Sequence, residues 1–280
     1  MNSLTISILG CGWLGLPLAE HLLQKGYPIK GSTASTTDIE KLKDRNIIPY
    51  HLEITDQSIF CDDLAGFLSC DILIVCFPPS RREDIEHYYP AQIQQLVSVM
   101  KTSSLQHILF ISSTSVYRDV NREVTEAETQ LAEKGSGKAL HLSEYLLQKQ
   151  FSTTCLRFGG LIGYDRMPHH YLHNKKRVTD VHTPLNLIHR DDCIQLIEKI
   201  IDQNVWGEVF NACADTHPTR KEFYMTEATV YRLSLPEFSD KSATGYKIVR
   251  SDKIKQRLDY TFIYPDILAI SAIEKSINKH

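Results

Sequence analysis

Short apolar runs rich in β-branched residues alternate with amphipathic stretches along residues 1–158. Thr5–Leu9, Ile29–Ser32, Pro49–Leu52, Asp71–Cys76, His107–Ile111 and Thr154–Phe158 are the predicted strands. Between them Leu16–Leu23, Pro90–Met100 and Leu140–Lys149 repeat apolar residues at helical spacing, and Asp191–Gln203 does so later. Strand alternating with helix implies right-handed crossovers, so the expected fold class is α/β, a doubly wound Rossmann-type parallel sheet. Residues 1–158 form the expected sheet domain, to which the helix at 191–203 returns. After Phe158 the pattern turns irregular and polar, with Gly159, Gly160 and Gly163 in quick succession. Residues 159–280 therefore read as a smaller, discontinuous C-terminal lobe.

The first strand runs straight into Gly10-Cys11-Gly12-Trp13-Leu14-Gly15, and that turn opens a helix. Spacing of this kind has a chemical reason. Gly10 permits the tight turn, Gly12 lets backbone approach a pyrophosphate, and Gly15 lets helix and sheet pack closely. The helix N-terminus adds free N–H groups and partial positive charge. These residues, with Trp13 and Leu14, are the expected dinucleotide-binding turn, although glycines alone would also suit an ordinary tight turn. Ligands of such sheets lie at the strands' carboxyl ends, which adds Leu52, Cys76, Phe77, Pro78 and Ser112 to the candidate cofactor contacts.

The second strand ends in Ser32-Thr33-Ala34-Ser35-Thr36-Thr37, with no carboxylate before Asp38. An acid at this point would bind ribose hydroxyls and repel a 2′-phosphate, whereas hydroxyls donate to one. NADP is thus the expected cofactor over NAD, with Ser32, Thr33 and Ser35 as contacts.

Composition narrows the partners. A formal net charge of -3 argues against nucleic acid, and 42% hydrophobic residues supply a core without any run long enough for a bilayer. Seven scattered cysteines, with no Cys-x-x-Cys pair, read as free thiols in a reducing cytoplasm.

Beyond the fifth strand, Ser112-Ser113-Thr114-Ser115-Val116-Tyr117 resembles the Ser-Ser-x-x-Val-Tyr segment of the extended short-chain dehydrogenases/reductases, the NAD(P)-dependent epimerase/dehydratase family. Matches follow in family order at Leu156–Gly163, Leu187–Asp192, Val209–Asn211 and Lys253–Tyr260. The resemblance implies that Ser113 orients a substrate oxygen and that Tyr117 lines the pocket. The family's Tyr-x-x-x-Lys pair, which moves the proton and holds the ribose, has no counterpart in the right place. Tyr145 and Lys149 have the spacing but stand at the end of the helix. If Glu144 is the family's glutamate one turn past the lysine, the pair falls on Ser136 and Leu140. Lys138, near the helix start, is the remaining candidate to reach ribose or substrate, or else a solvated lysine.

Arg157 and Arg166 flank the glycine-rich turn and suit a phosphate or carboxylate, and Asn211 joins them as a substrate contact. Lys175, Lys176 and Arg177 read as a solvated run. His169 and His173 stand one helical turn apart but lack further ligands, so no metal is expected. Asp191 and Asp192 open a helix, where the dipole favours acids. Family members often dimerise through the helices here spanning Gln92–Met100 and Leu140–Lys149, and core packing explains their stripes equally well. The expected function is an NADP-binding oxidoreductase or epimerase acting on a small polar or anionic metabolite. A non-catalytic NADP sensor on the same fold is the alternative.

Overall fold

The computed structural model describes residues 4–101, 103, 105–170, 172, 177–240 and 245–277. The chain divides into two units, Met1–Val116 with Leu131–Arg157 and Ile197–Phe210, and Tyr117–Gln130 with Phe158–Leu196 and Asn211–His280. The expected break after residue 158 is therefore refined: the segment after Val116 leaves the first unit early and rejoins it at Leu131.

The first unit is built on an eight-stranded sheet. In chain order its elements are β1 (Ile6–Leu9), α1 (Gly15–Gln24), β2 (Ile29–Thr33), α2 (Ile39–Lys43), β3 (Ile48–Ile54), β4 (Ile59–Cys61), α3 (Leu64–Leu68), β5 (Ile72–Val75), α4 (Ile85–Met100) and β6 (His107–Ser113). The second unit then contributes β7 (Arg122–Val124), and the first resumes with α5 (Gly135–Gln148) and β8 (Thr153–Phe158). After β9 (Gly160–Ile162), β10 (Arg177–Val178) and β11 (Leu187–His189) come α6 (Arg190–Asp202) and β12 (Val209–Ala212). The chain closes with α7 (Arg220–Tyr231), β13 (Glu237–Phe238), β14 (Lys247–Val249), α8 (Asp252–Leu258) and α9 (Ile270–Ile277).

Strand order is β12-β8-β6-β5-β1-β2-β3-β4, which reverses direction of growth at β1. Ile6 pairs with Ile29 on one side and Ile72 on the other, both parallel. Every residue of β1 and β5 is buried, as a strand covered by helices on both faces requires. A crevice for ligand opens where the order reverses, beyond the carboxyl ends of β1 and β5.

Three local expectations are corrected. β3 extends to Ile54 and turns back into β4, an antiparallel edge strand in register Leu52↔Cys61. The Thr55–Ser58 turn supports this hairpin with backbone and hydroxyl bonds, a turn signal that is weak without glycine. Helix α4 begins at Ile85, so Pro90 lies inside it. Burial of Ile85 and Tyr89 holds the turns on which the proline forfeits a hydrogen bond. Finally, β12 joins the sheet beside β8.

In the second unit the strands pair in twos, β7 with β14, β9 with β11 and β10 with β13. Ile162, Met167, Phe223, Ile267 and Ile270 form one core cluster there. Asp192 does more than complement a helix dipole. It is fully buried and accepts from the Tyr260 hydroxyl at 2.7 Å, Ile263 N–H at 2.7 Å and Tyr264 N–H at 3.1 Å. Asp192→Ala should cost about 3 kcal/mol, because one buried and two part-buried donors lose their acceptor. Urea unfolding midpoints check this, and a loss under about 0.5 kcal/mol would show the carboxylate to be dispensable.

Candidate functional site

The glycine turn of the first unit is held by atoms that pin its backbone. Gly10 N–H donates to Ser32 Oγ at 3.1 Å, and Cys11 N–H donates to the Ser32 carbonyl at 2.8 Å. Gly10 adopts φ +103°, and a Cβ there would lie 3.1 Å from Phe77 N. At Gly15 a Cβ would come within 2.1 Å of the Gly10 carbonyl oxygen. Around Gly12, by contrast, no atom stands within 4 Å of where a Cβ would go. The turn is thus closed on its inner side and open over Gly12, as a pyrophosphate approaching the N-terminus of α1 requires. A dinucleotide fits this cradle, and its phosphates would lie over Gly12.

The neighbouring strand end completes the edge. Cys76 N–H donates to the Leu9 carbonyl at 2.9 Å, and the Phe77 carbonyl accepts from Tyr89 at 2.9 Å, so the loop leading to exposed Pro78 is anchored beside Gly10. Burial pushes the Cys11 and Cys76 thiols up to about 12, which keeps both protonated. Three expected contacts have other duties. The Ser32 hydroxyl is buried beneath the turn and shapes it from below. Leu52 is 4% exposed and belongs to the core, because β3 runs two residues further than its apolar pattern suggests. Ser112 is buried and donates to Glu144 at 2.6 Å.

Past β2 the chain offers hydroxyls. Thr33 Oγ1 accepts from Ser35 N–H at 3.1 Å, and the Ser35 and Thr37 hydroxyls share a hydrogen bond at 2.8 Å. Asp38, the first acid, is paired with Lys41 at 2.5 Å.

At the end of β6, half-buried Ser113 accepts from Ser115 N–H at 3.1 Å. A hydroxyl used as acceptor keeps its own proton to donate elsewhere. Below it lies a buried ion pair. Arg157, 6% exposed, donates through Nη2 at 2.6 Å and Nε at 3.0 Å to the Glu144 carboxylate. Burial alone would raise the Glu144 pKa, but the donors around it, Arg157 and Ser112 among them, hold it below the ordinary carboxylate value. Arg157 is therefore a structural cation, and its assignment to substrate is corrected. An arginine on a fully buried strand must be paired, and Glu144 on α5 is its partner.

Helix phase explains what happened to the proton-transfer pair. Glu144 faces the sheet, which puts Leu140 one turn earlier in the core and Ser136 exposed in the first turn. A Cβ on Gly137 would lie 2.1 Å from the Ser115 carbonyl, so α5 starts hard against the turn after β6. Lys138 stands about 200° around the helix from Ser136. Its ammonium binds Glu86 of α4 at 3.0 Å, and Glu86 also accepts from Gly135 N–H at 2.6 Å. Lys138 is thus a helix-to-helix anchor, which corrects its expected catalytic place. Tyr145 is 56% exposed with the Lys149 ammonium 5.7 Å from its ring centre, so this pair lies on the surface at the helix end.

In the second unit Tyr117 is buried and donates to Asn211 Oδ1 at 2.7 Å. The Asn211 amide donates to the Arg250 carbonyl at 3.3 Å, and its backbone N–H donates to Glu126 at 2.7 Å. Tyr117 and Asn211 are brought together as a buried hydrogen-bonded pair. Arg166 is exposed on the 3-10 turn Tyr164–Arg166. His169 stacks on Tyr231 with ring centres 3.6 Å apart and lies 3.1 Å from the buried Glu227 carboxylate. His173, Lys175 and Lys176 fall outside the described residues.

A sequence model of the NAD dependent epimerase/dehydratase family matches residues 6–213. The chain belongs to that family. Protein YeeZ of Escherichia coli (strain K12) is 31% identical over 95% of this chain and 98% of its own length. Among solved structures, UDP-glucuronic acid 4-epimerase from Bacillus cereus, in complex with UDP-glucuronic acid and NAD, aligns with a TM-score of 0.81 at 19% identity, covering 98% of this chain and 99% of that one. A functionally unknown conserved protein from Silicibacter pomeroyi DSS aligns at 0.80 and 19% identity over 98% and 99%. At that identity the structures speak for the fold. Membership supports a nicotinamide cofactor. Among the described residues no helix is long and apolar enough to cross a membrane.

Glu227 supplies a pH prediction. Burial, with Glu274 nearby, raises its pKa to about 7. The folded state then keeps a proton that the unfolded chain releases near pH 4.3. Stability from this group is full below that pH and is lost as pH rises to about 7. Glu227→Gln should flatten the fall of Tm between pH 5 and 8 and stabilise the protein at pH 8; an unchanged slope would assign the proton elsewhere.

Proposed function

We propose that the chain binds NADP and reduces the carbonyl of a small polar or anionic metabolite. Ser113 carries this reading. Its hydroxyl sits at the ligand edge of the sheet, oriented by Ser115, with a proton to give to a substrate oxygen. A nicotinamide bound at this edge supplies a hydride from its C4. Ser113 then stabilises the negative charge that grows on the substrate oxygen. Epimerisation and alcohol oxidation both begin by taking a proton from a hydroxyl, and Ser136 and Leu140 provide no base for it. Reduction ends in the reverse transfer, a proton delivered from Ser113 or solvent to the product oxygen, and the same groups would take it up in oxidation, so the supply of reduced cofactor sets the direction. NADP is supported by the hydroxyl-lined turn and by the pairing of Asp38 with Lys41.

A second reading, a non-catalytic NADP-responsive protein, is favoured by the same two positions, because a chain without the proton-transfer pair retains binding alone. NADPH consumption with a panel of small anionic aldehydes and ketones separates the two. The enzyme reading expects turnover that falls about 100-fold in Ser113→Ala. Turnover untouched by that substitution would remove Ser113 from the mechanism, and tight NADPH binding without any turnover would support the second reading.

A further inference from the structure

We infer that the hollow where β7 and β14 end is a further ligand site, one that takes the phosphate group of a small metabolite. It lies wholly within the second unit and does not depend on the cofactor reading. β7 and β14 run parallel with Val124 in register with Val249, so their carboxyl ends emerge side by side. Arg250 N–H donates to the Val124 carbonyl at 2.9 Å, which keeps Thr125 beside the turn that leads into α8. The two strand ends and α8 enclose a hollow of about 480 Å³, the size of a small-molecule pocket. Among the described residues its wall is polar throughout, with Thr125, Glu126, Arg250, Asp252, Lys253 and Arg257 the groups that decide what it can hold.

Both acids in the wall are engaged by the protein. Asp252 accepts from Arg250 Nε at 3.0 Å and Nη2 at 3.2 Å, and Glu126 accepts the Asn211 N–H at 2.7 Å. Arg250 also reaches Glu123 at 3.1 Å, so its charge is matched from two sides. Lys253 and Arg257 line the same hollow from positions four apart on α8. Like charges at that spacing destabilise a helix, and an anion between them reverses the sign of the interaction. Lys255, on the same helix, is instead tied to Asp215 at 2.7 Å. Across the hollow, Thr125 Oγ1 accepts from Ala127 N–H at 3.4 Å and keeps its own proton to donate. A guanidinium fork, an ammonium and a hydroxyl together match the three oxygens of a phosphate.

Calorimetric titration with pyrophosphate at physiological salt tests the site. The wild-type protein should bind it with a Kd below about 1 mM. Lys253→Gln/Arg257→Gln should weaken binding at least about tenfold, and Arg257→Gln alone, at an exposed position, about threefold. The single variant decides the matter if the double variant does not fold. Lys255→Gln removes the same charge from the same helix and should hold affinity within about twofold, as should Gly15→Ala, which alters only the glycine turn. Succinate, a dianion without tetrahedral oxygens, should bind at least about tenfold more weakly than pyrophosphate. No binding by the wild-type protein, or full binding by folded Lys253→Gln/Arg257→Gln, overturns the site. Loss in Gly15→Ala alone overturns it too, by moving pyrophosphate to the glycine turn. Equal loss in Lys255→Gln reduces it to general surface charge, and equal affinity for succinate overturns the phosphate assignment.

Discussion

The cofactor edge depends on one close approach, the carbonyl of Gly10 against the Cα of Gly15. A single Cβ at Gly15 would stand 2.1 Å from that oxygen, far inside contact distance. The approach lets α1 begin directly under the turn, whose open side lies over Gly12. Ser32 fixes the far side through Gly10 and Cys11, and Phe77 closes the flank. Three strands therefore set one turn, and the crevice at the reversal of strand order inherits its geometry from them.

A second constraint governs the chemistry. Glu144 is locked to Arg157 and Ser112 inside the first unit, and breaking such a buried pair from one side typically costs about 3–5 kcal/mol. That lock fixes the rotational phase of α5. With the phase fixed, Leu140 is core, Ser136 is solvent-facing, and Lys138 is turned toward Glu86. The helix that carries a proton-transfer pair in the resembled family here serves to support Ser112 from behind. Ser113, at the end of β6, keeps a hydroxyl proton to offer.

The alternating pattern made the doubly wound sheet legible, since buried parallel strands and amphipathic crossovers leave strong periodic signals. The glycine turn was equally plain, because each glycine answers a steric need. Site side chains were harder to read. Arg157, Tyr117 and Asn211 are polar groups on or just beyond strands, where substrate contact and buried pairing look alike in sequence; Glu144 comes 13 residues before Arg157 on a helix, and Glu126 lies 85 residues from Asn211. Lys138 was misplaced because its helix phase depends on where Glu144 locks. Leu52 was misassigned because β3 continues into a hairpin whose turn carries no glycine.

The central claim is that the Gly10–Gly15 turn holds a nicotinamide dinucleotide with a phosphorylated ribose. Calorimetric titration of NADPH and NADH into the purified protein and its Gly15→Ala variant tests it most directly. The account predicts one site per chain, tighter for NADPH, with binding lost in a Gly15→Ala protein that remains folded. Failure of the wild-type protein to bind either nucleotide, or undiminished binding by the variant, would contradict it.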